Sequence, residues 1–132
     1  MQARFTGLHP WSAPGDHIEL YVGDGYIDLH NDCSLLDLTL TGHPKTVLRL
    51  EFQHVTAGRF LLEFHDVGEL VLLQDAVSSD CWSEPPEKEP EGIDQVRYYE
   101  YGAELPPVFE IQSLTLQCKF RAWEVSFRFL VG

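Results

Sequence analysis

From residue 17 onward the apolar positions fall mostly at every second residue, the spacing of strands with one face buried and one wet. Ile18, Leu20 and Val22 alternate with Glu19 and Tyr21, and Gly23-Asp24-Gly25 supplies a turn into Tyr26 to His30, which reads as a hairpin. Leu36, Leu38 and Leu40 alternate with Asp37, Thr39 and Thr41. After Gly42-His43-Pro44-Lys45, Leu48, Leu50 and Phe52 alternate with Arg49 and Glu51, a second hairpin. Phe60, Leu62 and Phe64 form the next strand, and Asp66-Val67-Gly68 separates it from one over Glu69 to Leu73. There Leu70, Leu73 and Val77 would also suit a helical face, but Val71 and Leu72 favour a strand.

Near the C-terminus Phe109 and Ile111 sit on odd positions and Leu114, Leu116, Cys118 and Phe120 on even ones. The buried face therefore changes sides around Ser113, and a bulge or break belongs there. Trp123, Val125, Phe127 and Phe129 resume the alternation, which predicts that Leu114 to Cys118 pairs with Trp123 to Phe129 around Lys119 to Ala122. Seven to nine short strands without a long helix predict an all-β fold, an antiparallel meander forming a sandwich or a partly open barrel. The length of 132 residues suits one domain, so 1–132 is read as a single β domain.

Residues 74–94 break the pattern. Ser78, Ser79, Pro85, Pro86, Pro90 and Gly92 interrupt any period, and this stretch reads as a long acidic loop. From Asp80 to Glu104 eight acids (Asp80, Glu84, Glu87, Glu89, Glu91, Asp94, Glu100, Glu104) face only Lys88 and Arg97, a balance of −6 and half of the chain's net −12. A field of that sign repels phosphate backbones and anionic lipid surfaces, which disfavours nucleic acid and membrane as partners. By exclusion it favours a basic protein partner, a neutral small molecule or a cation.

Cys33, Cys81 and Cys118 are odd in number and widely spaced, so they write neither a disulfide framework nor a Cys-x-x-Cys pair. Reduced thiols, no signal-peptide stretch and no membrane-spanning run lead to the expectation of a cytoplasmic protein. No cofactor is implied. The sequence holds no P-loop, no His-Glu-x-x-His, no Gly-x-Ser-x-Gly and no complete EF-hand loop, and Gly23-Asp24-Gly25 has Asp28 where a dinucleotide fingerprint needs its third glycine. His30-Asn31-Asp32-Cys33 and His65-Asp66 are the densest polar groups. Both lie at strand ends, where Asn and Asp serve turns, and they would make a metal or acid–base site only if His30, Asp32, His65 and Asp66 converged.

The phrases Leu29-His30-Asn31-Asp32-Cys33, Phe64-His65-Asp66-Val67 and Ser113-Leu114-Thr115-Leu116, over roughly residues 28–130, resemble small acidic β-rich bacterial immunity proteins of polymorphic toxin systems. The resemblance implies a cytosolic, non-catalytic protein that occludes a toxin domain. It assigns no functional residue, because the matched positions are core and turn. The residues alone predict a non-catalytic interaction module whose partner-binding set is Asp80, Trp82, Glu84, Glu87, Glu89, Glu91, Tyr98, Tyr99 and Tyr101, with acids steering a basic partner and aromatics anchoring it. Two alternatives stand beside it. One is a ligand-binding barrel lined by Phe52, Phe60, Phe64, Trp123 and Phe127, and the other an enzyme built on the four His and Asp residues.

Overall fold

The computed structural model describes residues 2–42, 45–74, 92–102, 104–113 and 116–130. Within them are twelve strands and no helix: β1 (Arg4–Thr6), β2 (Gly15–Asp16), β3 (Glu19–Val22), β4 (Gly25–Asp28), β5 (Cys33–Thr41), β6 (Val47–His54), β7 (Gly58–His65), β8 (Gly68–Gln74), β9 (Ile93–Tyr99), β10 (Val108–Ser113), β11 (Leu116–Arg121) and β12 (Glu124–Phe129). Sheet I has the order β1-β12-β7-β6-β5, sheet II the order β2-β9-β10-β11-β8, and β3-β4 form a separate hairpin. The pairings are antiparallel except β1 against β12, which is parallel. The two sheets pack as a sandwich and do not close into a barrel.

Two strand pairs pass continuously from one sheet to the other. The β7–β12 ladder ends at His65 with Glu124, and the β8–β11 ladder takes up at Gly68 with Arg121. The ribbon thus bends at Asp66-Val67 on one strand and Ala122-Trp123 on the other, a corner of the kind that lets strands switch sheets. The Trp123 N–H donates to the His65 carbonyl at 3.2 Å and the Val67 N–H to the Thr46 carbonyl at 2.9 Å, so the turning backbone stays paired. Asp66 and Glu69 take left-handed backbone conformations, φ 58° and 52°. Such angles are uncommon for side-chain-bearing residues and persist where surroundings fix them. Lys45 Nζ lies 3.7 Å from the Asp66 carboxylate, and Arg121 Nε donates to Glu69 at 2.8 Å.

One buried cluster draws on both sheets and on the N-terminal segment. Phe64 from sheet I meets Phe109 and Phe120 of sheet II with ring centroids 5.1 and 4.8 Å apart, and Trp11 covers Phe109 at 5.8 Å. Alternation correctly identified the buried faces here: Leu48, Leu50, Phe52, Phe60, Leu62 and Phe64 are all inside. The segment over Glu69 to Leu73 is strand, as expected. The break near Ser113 is the change from β10 to β11, two strands that pair with each other.

Four expectations are corrected. Of the stretch Leu114 to Cys118, the described residues from Leu116 on do not pair with Trp123 to Phe129; β11 pairs with β10 and β8, while β12 pairs with β7 and β1. Lys119 to Ala122 is not a turn, because β11 runs to Arg121 and the chain then crosses between sheets. Alternation reports which face is buried, not which strand lies alongside. The strand count exceeds the predicted seven to nine because β1 and β2 are too short to show a period and β9 is bulged. Its buried residues fall at Ile93, Val96 and Tyr98, and the register with β10 shifts at Gln112/Ser113. β5 is bulged as well, between Leu35 and Asp37, so Leu36 is the extra residue and lies exposed, away from the apolar face it was read into.

Candidate functional site

Of the predicted partner-binding residues, Asp80, Trp82, Glu84, Glu87, Glu89 and Glu91 lie outside the described residues. Tyr98 does not belong to a surface. It is wholly buried in β9, its ring 5.2 Å from Phe109, and its hydroxyl accepts the Ala3 N–H at 2.9 Å. Burial pushes its phenol pKa up to about 12. Beyond the bulge Val96 and Tyr98 face inward, so the Tyr98-Tyr99 pair divides between the core and the outer face. Tyr99 and the exposed Tyr101 stack at 5.9 Å beside Glu100.

The four-residue His and Asp constellation is not assembled. Cys33 and Gly58 both register with His54 at one end of sheet I, whereas His65 registers with Val47 and Glu124 at the other. The Asp32 carbonyl accepts the Val55 N–H at 3.0 Å, which places the His30-Asp32 turn at the His54 end. The eight residues of β7 between those ends span roughly 23 Å. His65 Nε2 instead lies 2.9 Å from Ser126 Oγ. Among the described residues no three His, Cys, Asp or Glu side chains gather as a metal would need. The proposed ligand-lining rings pack on one another: Phe52 stacks on Phe60 at 5.1 Å and Phe60 meets Phe127 at 4.9 Å. Cys33 and Cys118 are buried free thiols, each pushed up to about 12 by desolvation.

What the described surface does assemble is an acidic, aromatic hairpin. In β3–β4, Leu20 pairs with Ile27 and both face the core, which turns the opposite face of the hairpin to solvent. That face carries the pairs Tyr21 with Tyr26 and Glu19 with Asp28. The two tyrosines are 53% and 61% exposed with centroids 6.2 Å apart, and Asp24 sits in the turn between them. Tyr21 donates to Glu19 Oε2 at 3.2 Å, and that hydrogen bond raises its phenol pKa. Behind the hairpin, Asp28 orders the next turn. It accepts the Asn31 side-chain N–H at 2.8 Å and the His30 and Asn31 backbone N–H groups at 2.9 and 3.0 Å. The Asn31 side chain, first among these, lowers the Asp28 pKa. His30 Nδ1 lies 3.4 Å from Asp94 Oδ1, and Gly92 lies against the His30 carbonyl, so the start of β9 closes onto this turn.

The outer face of sheet I is of opposite character. Arg49 reaches the buried Glu63 at 3.0 Å and Arg128 reaches its other oxygen at 3.4 Å, while Arg59 meets Glu51 at 3.7 Å and Arg4 meets Glu124 at 3.5 Å. Four arginines there face acids within ion-pair distance. A sequence signal for this segregation exists: between Arg4 and Lys45 there is no Lys or Arg, but six acids, Asp16, Glu19, Asp24, Asp28, Asp32 and Asp37. With the fourteen acids and two cations of this stretch and of Asp80 to Glu104 set aside, seven acids face seven cations in the rest of the chain.

Comparisons with protein-family models, with curated proteins and with solved structures find no match to this chain. Among the described residues no helix is long and apolar enough to cross a membrane.

Proposed function

We propose that this protein is a non-catalytic interaction module that docks a basic protein partner on its acidic end, with Tyr21 and Tyr26 as anchors. The carrying observation is that an exposed tyrosine pair shares its hairpin face with Glu19 and Asp28, in a stretch of the chain that holds no Lys or Arg. Exposed aromatics are costly to solubility, and their rings offer a large contact area and a π face for guanidinium or ammonium groups. The acids raise the encounter rate and the tyrosines slow dissociation. The Asp80 to Glu91 stretch adds charge of the same sign. An immunity protein occluding a basic toxin domain is one form of this reading, and a cytoplasmic setting accords with the unpaired buried thiols of Cys33 and Cys118.

The test uses an Arg- and Lys-rich peptide as probe, with rates followed at low and high salt. Replacing Tyr21 and Tyr26 together by Ser is expected to raise the off-rate about tenfold or more. Glu19→Gln with Asp24→Asn, or neutralisation of Glu84, Glu87, Glu89 and Glu91 together, should lower the on-rate at low salt and flatten its salt dependence. Binding unchanged in all three variants would overturn the reading.

A further inference from the structure

The N-terminal segment and the β3–β4 turn border a recess of about 310 Å³ lined by Gly7, Leu8, His9, Pro10 and Gly23. Two glycines and one histidine build it. Gly7 takes φ 83° and lies so close to the Phe127 carbonyl that a Cβ would collide with it, so the segment lies tight against β12. Leu8 is then buried in the core. The His9 N–H donates to the Tyr21 carbonyl at 2.8 Å, which sets the recess beside the strand that carries the exposed tyrosine. His9 Nε2 lies 3.0 Å from the Gly23 carbonyl. A carbonyl only accepts, so Nε2 carries the proton and Nδ1 of the neutral ring is left as an acceptor. Gly23 takes φ 58°, and a Cβ there would meet nothing within 4 Å, so the recess is open on that side.

The walls and the margin of this recess differ in chemistry. Leu8, Pro10 and the glycine backbones give it apolar walls, and no residue lining it is Lys, Arg, Asp or Glu. The next residue along the turn is the exposed Asp24, and Glu19 and Asp28 lie farther down the same hairpin. An apolar recess at an acidic margin fits a side chain with a long aliphatic stem and a cationic head, which buries its methylenes and keeps its charge at the rim. An apolar side chain would leave the acids unmatched, and an anion would be repelled. We propose that the recess receives the stem of one lysine or arginine of the basic partner, with the cationic head at the Asp24 end. This rests on the basic-partner reading and adds selectivity to it: charge alone does not tell a long cationic side chain from a short one, whereas a recess does.

Two peptides of equal charge and length are titrated into the intact protein, one carrying lysine and the other 2,4-diaminobutyrate, whose stem is two methylenes shorter. The lysine peptide is expected to bind about fivefold or more tighter, because the longer stem buries more apolar surface. His9→Ala, at an exposed residue, removes one wall and should bring the two affinities together. The paired Tyr21→Ser and Tyr26→Ser variant should weaken both peptides and keep their ratio. Equal affinities in the unaltered protein overturn this inference, and they leave the basic-partner reading standing if the tyrosine variant still weakens both peptides. A preference for lysine that His9→Ala leaves intact places the stem elsewhere and overturns it too. Binding of neither peptide overturns the inference and the reading together.

Discussion

The outer face of sheet I and the β3–β4 hairpin both carry many charges, yet they are built in opposite ways. On the sheet, Arg4, Arg49, Arg59 and Arg128 sit across strands from Glu124, Glu63 and Glu51, so the charges face one another. On the hairpin, Glu19 and Asp28 are cross-strand neighbours of the same sign, and no Lys or Arg lies within the surrounding stretch. Like charges set opposite each other in a ladder are destabilising. The total of −12 matters less than where it lacks facing cations: the sheet's acids are paired with arginines, and the hairpin's acids are held by neutral hydrogen-bond donors.

The comparison breaks completely if the scaffold that separates the two regions is lost. Phe64→Ala removes the ring that joins sheet I to Phe109 and Phe120, and should cost about 3–5 kcal/mol in urea unfolding, with both surfaces lost together. Next in size, Glu63→Ala should leave Arg49 and Arg128 without their shared buried carboxylate. The expected cost is about 1–3 kcal/mol, held down by the partial exposure of both guanidinium groups, with peptide binding untouched. By contrast, the Tyr21→Ser and Tyr26→Ser pair should shift the unfolding midpoint by no more than about 1 kcal/mol while abolishing most of the peptide affinity. Comparable stability losses in the Glu63 and tyrosine variants would erase the distinction between a structural and a recruiting surface.

The smallest effect concerns pH. The Asp28 pKa is depressed in the folded protein, chiefly by Asn31, so Asp28 contributes stability above the ordinary carboxylate range and loses it as pH falls through the depressed value. Asp28→Asn should flatten that part of the acid-unfolding curve by lowering the neutral-pH midpoint slightly toward the acid one, as followed by urea unfolding at several pH values.

Much of the fold was legible in the sequence because half-buried strands must alternate. The inward residues of β6, β7 and β11 follow from that rule alone, as do Val125 and Phe127 of β12, whereas Phe129, expected with them, is 44% exposed. What was illegible had definite causes. The bulge in β9 moved its buried positions to Ile93, Val96 and Tyr98, which hid the strand and left Tyr98 looking like a surface aromatic. The corner at Asp66-Val67 and Ala122-Trp123 separated β11 from β12, a matter of partners on which periodicity is silent. The site was legible only as a sign of charge. The aromatics that accompany it were sought next to the densest acidic run, whereas the exposed pair lies in a hairpin whose signal is the missing cations between Arg4 and Lys45.

Mapping by NMR tests the central claim most directly: the Arg- and Lys-rich peptide is titrated into the labelled protein at low salt, and backbone amide shifts are followed residue by residue. The largest shifts are expected on Tyr21, Asp24, Tyr26, Asp28 and Asp94, and they should shrink when salt is raised. Shifts centred on Arg49, Glu63 and Arg128, or none above background, would contradict it.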